Sequence, residues 1–405
     1  MTRFFSKSLL YVMIVTLVCN IFAISVAATS KEDIDSADKI ICVVHRGDWH
    51  AYPENSAQAV KAGTQYGFVS VDLKVTKDKK VVLMADDTTD RMVVDAQGNT
   101  VSGFVSEKTL EELTSLYLRA ENGSQTKAKT DCHVAGLGDA LSEVPDDTLL
   151  ILNTTCADFE TVHSQVKELN AEDKVFYRFN TDSNADIVKI AEKHDVSASG
   201  NYQGNIIFMA TSAVDKSLEN GMNIIELGSA NENGVLYDEF LMERFDEKGK
   251  AMASMVNGRC GGRPDNERGW DDLIARGYSV IETDYPEKFA KYILQVDEEK
   301  KSLDYYIDSY NSTDLTPYTT DSEKAFTQAL AQAKEVSLKA SSLSEIQNAR
   351  HGLQSSYDGL TIGEKKAVTL KFDFTVGRAI AVVLCGGAII AAQVFFFKKR
   401  DKSKK

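Results

Sequence analysis

The chain lacks an excess of positive charge: its formal net charge is −14 and its pI is near 5.0. Phosphate backbones and anionic lipid surfaces repel such a chain, so as a whole it is not read as a nucleic-acid partner. Cysteine is also scarce, with six in 405 residues. Cys19 and Cys385 fall in terminal apolar runs, which leaves Cys42, Cys132, Cys156 and Cys260. Four cysteines permit three pairings, and buried free thiols are an equal reading. Long apolar runs are missing between residues 29 and 375. Any bilayer-spanning segment is therefore confined to the two ends.

At the first end, Arg3 and Lys7 precede a nearly continuous apolar stretch over 9–27, and Ser25-Val26-Ala27 offers small residues for cleavage before Ala28. Residues 1–28 read as a secretory signal peptide, with an uncleaved anchor as the alternative. At the other end, residues 379–397 are apolar apart from Gln393, and six basic residues follow within 398–405. That length crosses a bilayer core, and a basic flank stays in the cytoplasm. The expectation is a cell-membrane protein with one C-terminal transmembrane helix, a short cytoplasmic tail and everything between facing outward.

Short apolar runs at 41–44, 69–75, 81–84, 149–152, 175–179, 206–209, 252–256 and 279–281 read as strands, with 223–227 as an extra candidate. Helix-like patterns at 57–66, 107–116 and 185–193 fall between them. This alternation predicts an α/β chain with a (β/α)₈ barrel over 38–298. From about residue 318 the texture turns rich in Ala, Ser, Lys and Leu. Phe326, Leu330 and Ala333 share one helical face, as do Ile346, Ala349 and Leu353, with Ser322 and Ser344 as N-caps. A small α-helical stalk is expected over 302–364.

The motifs are concentrated in the first part of the barrel. "HRG" at 45–47, "PENS" at 53–56 and "GFVSVDLKVTKDKKVVLMADDTTDR" at 67–91 come first. "GNTVSGFVSEKTLEEL", "VAGLGDAL" and "SVIETDYPEKF" follow in order. Together they resemble the glycerophosphodiester phosphodiesterase family over about residues 40–297. In addition, "YTTDSEKAFTQALAQAK" and "EIQNARHGL" resemble the FIVAR-type helical modules of Gram-positive surface proteins. The first resemblance implies a TIM barrel with its site at the C-terminal mouth. It also implies a divalent ion, calcium or magnesium, held by strand-end carboxylates, and two histidines that exchange protons with nucleophile and leaving group. The implied reaction splits a glycerophosphodiester into glycerol 3-phosphate and an alcohol.

Carried over by position, the resemblance makes His45 the first catalytic histidine and Arg46 the phosphate-contacting arginine. Glu54 and Asn55 match the substrate-binding loop that follows, and Asp72 matches one metal carboxylate. The pattern then breaks. The first metal carboxylate is Ser70, the second histidine is Ala85, and the third carboxylate is Asn153, with Thr155 in place of its lysine and Ser254 in place of a tryptophan. Neutral oxygens bind a hard divalent ion far more weakly than carboxylates, and alanine transfers no proton. No tight metal is expected. The preferred expectation is a degenerate, membrane-anchored barrel that binds a phosphodiester, lipid or teichoic-acid headgroup. The alternative is an active phosphodiesterase with a rearranged metal site, in which His50, Asp86 or Asp87 substitutes for what is missing. The glycine-rich basic loop at 258–269 is read as a connection, with phosphate contact as its alternative. Thr76, Lys77 and Asp78 are read as a tight turn.

Overall fold

A computed structural model describes residues 29–363 apart from 125, 180–183, 203–205, 246–248 and 257–259. The expected signal peptide (1–28), span (379–397) and basic tail (398–405) lie outside the described residues. Among the described residues no helix is long and apolar enough to cross a membrane.

Eight parallel strands build the barrel: β1 (Ile41–His45), β2 (Phe68–Val75), β3 (Leu150–Thr154), β4 (Val175–Phe179), β5 (Ala198–Tyr202), β6 (Ile224–Leu227), β7 (Lys250–Ser254) and β8 (Tyr278–Thr283). Each pairs with its neighbours in chain order, and β1 pairs with both β2 (Val43 opposite Phe68) and β8 (Ile41 opposite Val280), so the ladder returns to its start. Helices follow the strands on the outside, among them Ala57–Gly63, Phe159–Glu168, Ile207–Glu219 and Glu267–Ala275.

Two-residue periodicity sorts the strand side chains into layers. Ile41, Val43, Phe68, Ile151, Phe176, Ile224, Met252 and Val280, joined by Leu149, form one buried apolar cluster. Each fully buried side chain of this kind contributes about 1.5–3 kcal/mol. Two residues further along the strands the layer turns polar: Ser70, Arg178, Glu226, Ser254 and Glu282, all at most 2% exposed. His45, Asp72, Asn153 and Asp284 follow Val43, Ser70, Ile151 and Glu282 by two residues and form the mouth.

Three expectations are corrected. The run at 81–84 is not a barrel strand. Val81–Leu83 pairs antiparallel with the end of β2 (Leu73 opposite Leu83), because Thr76-Lys77-Asp78 makes the expected tight turn, with Thr76 Oγ1 donating to Asp78. Beyond it lies a small antiparallel sheet of Val93–Val94, Tyr117–Arg119 and Lys129–His133. The run at 206–209 is the start of the helix Ile207–Glu219. Its buried residues Ala210, Val214 and Ser217 recur at helical spacing, while Phe208 and Met209 face solvent. A four-residue apolar run does not distinguish helix from strand. The barrel takes the extra candidate at 223–227 as β6 and adds β5, whose Ala-Ser-Gly sequence carries little strand preference.

Residues 324–359 cluster with the barrel in one compact unit. Here the helix Leu343–Asp358 packs against the long helix Pro286–Tyr310, pairing Arg350 with Glu299 and stacking Tyr357 on Tyr310 at 3.9 Å between ring centroids. The expected faces are buried at Phe326, Ala333, Ile346, Ala349 and Leu353. The N-cap is Ser342, in a capping box with Glu345, and not Ser344, whose hydroxyl donates to Asp271 instead. A second unit holds 314–323 and, among the described residues, 360–363. Within it Thr319 N–H donates to Thr361 O at 2.9 Å. Among the described residues Cys42, Cys132 and Cys260 are buried free thiols.

Candidate active site at the barrel mouth

The opening motif stops a strand and turns the chain over in one step. His45 ends β1, and Arg46 and Gly47 follow with φ of 58° and 75°. Glycine is required at the second position: a Cβ on Gly47 would stand 2.4 Å from the Ala59 carbonyl carbon, in the helix Ala57–Gly63. Arg46 adopts the left-handed region without being glycine, at about 1–2 kcal/mol. Strain of this kind persists where surrounding contacts over-determine it, most often at functional sites. Those contacts come from the "PENS" loop. Asn55, also left-handed (φ 56°), donates its N–H to Arg46 O at 3.0 Å and accepts the Asp72 N–H on Oδ1 at 3.0 Å.

A chain of charges follows. Arg46 Nη1 donates to Glu54 Oε2 at 3.0 Å, and its Nε stands 2.7 Å from Asp72 Oδ2, an ion-pair contact not aligned as a hydrogen bond. Glu54, 2% exposed, also takes Arg91 Nη2 at 2.6 Å, and Arg91 Nε reaches Asp86 Oδ2 at 2.6 Å. Asn153 Nδ2 donates to Asp72 Oδ1 at 3.0 Å. Burial pushes the Asp72 carboxyl up, but Arg46, His45, Asn153 and Asn55 together hold it below the usual carboxylate range.

His45 is 8% exposed, with Nδ1 2.8 Å from Asp284 Oδ1, the oxygen that also accepts Trp49 Nε1 at 2.8 Å. Burial works against its charged form, yet the Asp284 bond and the nearby Glu282 charge raise its pKa overall. Asp284 is itself placed by Asp265, whose Oδ2 accepts the Asp284 N–H at 2.8 Å and whose Oδ1 accepts Thr283 Oγ1 and Trp270 Nε1 at 2.7 Å each. Asp265 of the glycine-rich loop therefore positions β8, and Arg263 of the same loop is committed to Asp272 and the Tyr237 ring.

The residues do not fit a hard divalent ion. Ser70 is fully buried and donates to Glu282 Oε1 at 2.7 Å. Asn153 spends its amide N–H on Asp72. Asp87 takes Lys74 at 2.6 Å, and Asp86 takes Arg91, so neither completes a site around Asp72. His50 stacks on Tyr285 and meets Trp49 at a tilt, at 5.1 and 3.9 Å between ring centroids. Among the described residues no three His, Cys, Asp or Glu side chains converge as metal ligands.

The structure brings His45, Arg46, Glu54, Asn55, Asp72 and Asn153 together at the mouth, with Arg91 and Asp284 beside them and Arg178, Glu226 and Glu282 beneath, five residues that the sequence reading did not single out. Arg91 and Asp284 lay inside quoted motifs. Glu282 also lay inside a quoted motif, and Arg178 and Glu226 were charged residues inside apolar strand runs, a signal that the runs themselves concealed.

A parallel eight-stranded barrel with a charged mouth defines the class. Residues 45–226 match the glycerophosphoryl diester phosphodiesterase family. That match runs from the end of β1 into β6. A solved glycerophosphoryl diester phosphodiesterase from Parabacteroides distasonis shares the fold with a TM-score of 0.51 and 22% identity, covering 64% of this chain and 88% of that one. The glycerophosphodiester phosphodiesterase of Bacillus subtilis is 34% identical over 97 residues, 22% of this chain and 30% of that protein. A like-named protein of Caldanaerobacter subterraneus is 35% identical over 80 residues, 19% of this chain and 30% of that protein. These last two matches span less than a third of the relatives' length. The uncharacterized protein YqiK of Bacillus subtilis matches at 26% over 254 residues, covering 60% of this chain and 94% of that protein.

Proposed function

We propose that the chain is a membrane-tethered, outward-facing barrel that holds a glycerophosphodiester, or the headgroup of a lipid or teichoic acid, without hydrolysing it by the metal-and-two-histidine route. One observation carries this reading: both oxygens of Asp72 are engaged from within the chain, Oδ1 by Asn153 and Oδ2 by Arg46. With Ser70 tied to Glu282 and Ala85 unable to carry a proton, the mouth keeps groups that bind and loses groups that react. Arg46 and His45 supply positive charge toward a phosphate. Asn153 Oδ1, buried and without a partner among the described residues, suits a polyol hydroxyl. The terminal segments supply the tether, and the helical segment, with its FIVAR-like motifs, a spacer. The test is a thermal-shift titration of the purified full-length chain with glycerol 3-phosphate and a glycerophosphodiester. The parent melting temperature rises with ligand and that of Arg46→Ala does not. A parent that does not respond at millimolar ligand overturns the binding reading.

A second reading, hydrolysis to glycerol 3-phosphate and an alcohol with calcium or magnesium in a rearranged site, is favoured by the His45–Asp284 pair. Asp284 fixes Nδ1 and leaves Nε2 as the proton-exchanging atom. The commitment of Asp86 to Arg91 and Asp87 to Lys74 weighs against it.

A further inference from the structure

Under the mouth the barrel holds a second charge set, of which only Glu282 falls inside a motif that carries the resemblance. Arg178, 2% exposed, donates through Nε and Nη2 to Glu226 Oε2 at 2.7 and 2.6 Å and through Nη1 to Glu282 Oε1 at 2.7 Å. Glu226 and Glu282 are 0% and 1% exposed. The oxygen of Glu282 that takes Arg178 also takes Ser70 Oγ, and its other oxygen takes Ser254 Oγ. In the strand register Arg178 stands beside Asn153. Arg178 therefore adjoins both positions, Ser70 and Asn153, at which the family pattern has metal carboxylates and this chain does not.

A buried guanidinium between two buried carboxylates is costly to desolvate, and it persists because each charge compensates the others. The same change explains Ser70. A glutamate there would meet Glu282, whereas a serine gives Glu282 a hydrogen bond. The serine at 70 and the Arg178–Glu282 pair thus form one mutually consistent set.

We infer that Arg178 is the built-in cation of this barrel, a fixed guanidinium holding, beneath the mouth, the positive charge that a dissociable metal ion would otherwise bring. Two consequences follow. The intact barrel gains nothing from divalent ions. Removal of the guanidinium leaves Glu226 and Glu282 across one gap with the Ser70 and Ser254 hydroxyls, an all-oxygen set of the kind that hard cations prefer, so a latent cation site appears. The inference rests on the metal mismatch and not on any bound phosphodiester, and its test uses no such ligand.

The experiment is thermal unfolding of the full-length chain and of Arg178→Ala, each with chelator, with millimolar Ca²⁺ or Mn²⁺, and with millimolar methylguanidinium. The parent melts at the same temperature in all conditions. Arg178→Ala melts lower and recovers about 5 °C with a divalent ion or with methylguanidinium, and Arg178→Ala/Glu226→Gln/Glu282→Gln shows no recovery. Should Arg178→Ala not fold, Arg178→Ala/Glu226→Ala keeps one carboxylate and responds to methylguanidinium but not to Ca²⁺. A parent stabilised by divalent ions, or Arg178 variants that respond to neither cation, overturns the inference. A failed glycerophosphodiester titration beside a positive cation rescue sinks the binding reading alone.

Discussion

Arg46 Nε stands 2.7 Å from Asp72 Oδ2, so the arginine expected to meet a phosphate lies against the one carboxylate retained for a metal. The pair satisfies itself, and this sets the first expectation. Arg46→Ala leaves Asp72 with Asn153 and Asn55, and Glu54 with Arg91. Breaking a fully buried pair costs about 3–5 kcal/mol. Arg46 is 23% exposed on its side chain and Glu54 keeps a second guanidinium, so about 2 kcal/mol is expected. Denaturant unfolding of parent and variant measures it, and an unchanged midpoint contradicts it.

Restoring the missing glutamate alone is expected to fail. Ser70→Glu places a second carboxylate against Glu282 at a fully buried position, with a loss of about 3 kcal/mol or more. Moving the charge instead of adding one, by Ser70→Glu with Glu282→Ser, keeps a single carboxylate within reach of Arg178. That swap recovers more than half of the loss. A double-mutant cycle reads the coupling, and simple additivity contradicts the account.

The His45–Asp284 pair gives stability a pH window. The His45 pKa is raised, so its contribution is complete below the ordinary value of 6.5 and disappears as pH climbs through the higher native value. Burial pushes the Asp284 carboxyl up, but bonds from His45 and Trp49 hold it below 3.8 overall, so its contribution is present above 3.8 and lost as pH falls through the lower native value. The melting-temperature difference between parent and His45→Gln/Asp284→Asn is largest between pH 3.8 and 6.5. A difference that grows above neutrality contradicts the pairing.

The topology has its own test. On the proposed topology, with the basic cluster after residue 397 on the inside, protease added to intact cells is expected to release a soluble fragment containing the barrel. Protection of residues 40–300 reverses the orientation.

How far the sequence reached depended on the kind of signal. "HRG" and "PENS" were legible because their backbone demands are local: a strand end, two left-handed residues, an asparagine that tolerates φ above zero. The barrel was legible from alternation, yet two strands were misassigned. Short apolar runs carry no period long enough to separate a helix start at Ile207 from a strand, and the Ala-Ser-Gly strand β5 has little apolar content. Arg178, Glu226 and Glu282 were opaque for another reason. They lie on three strands far apart in the chain, and only closure of the ring brings them within hydrogen-bonding distance.

The central claim is that this mouth binds and does not cleave. The most direct measurement is turnover of glycerophosphodiesters by the purified full-length protein with Ca²⁺, Mg²⁺ or Mn²⁺, following release of glycerol 3-phosphate. The account predicts release no faster than in buffer, and the same result for His45→Ala. Release well above buffer in the parent that vanishes in His45→Ala contradicts it and makes the chain a working phosphodiesterase.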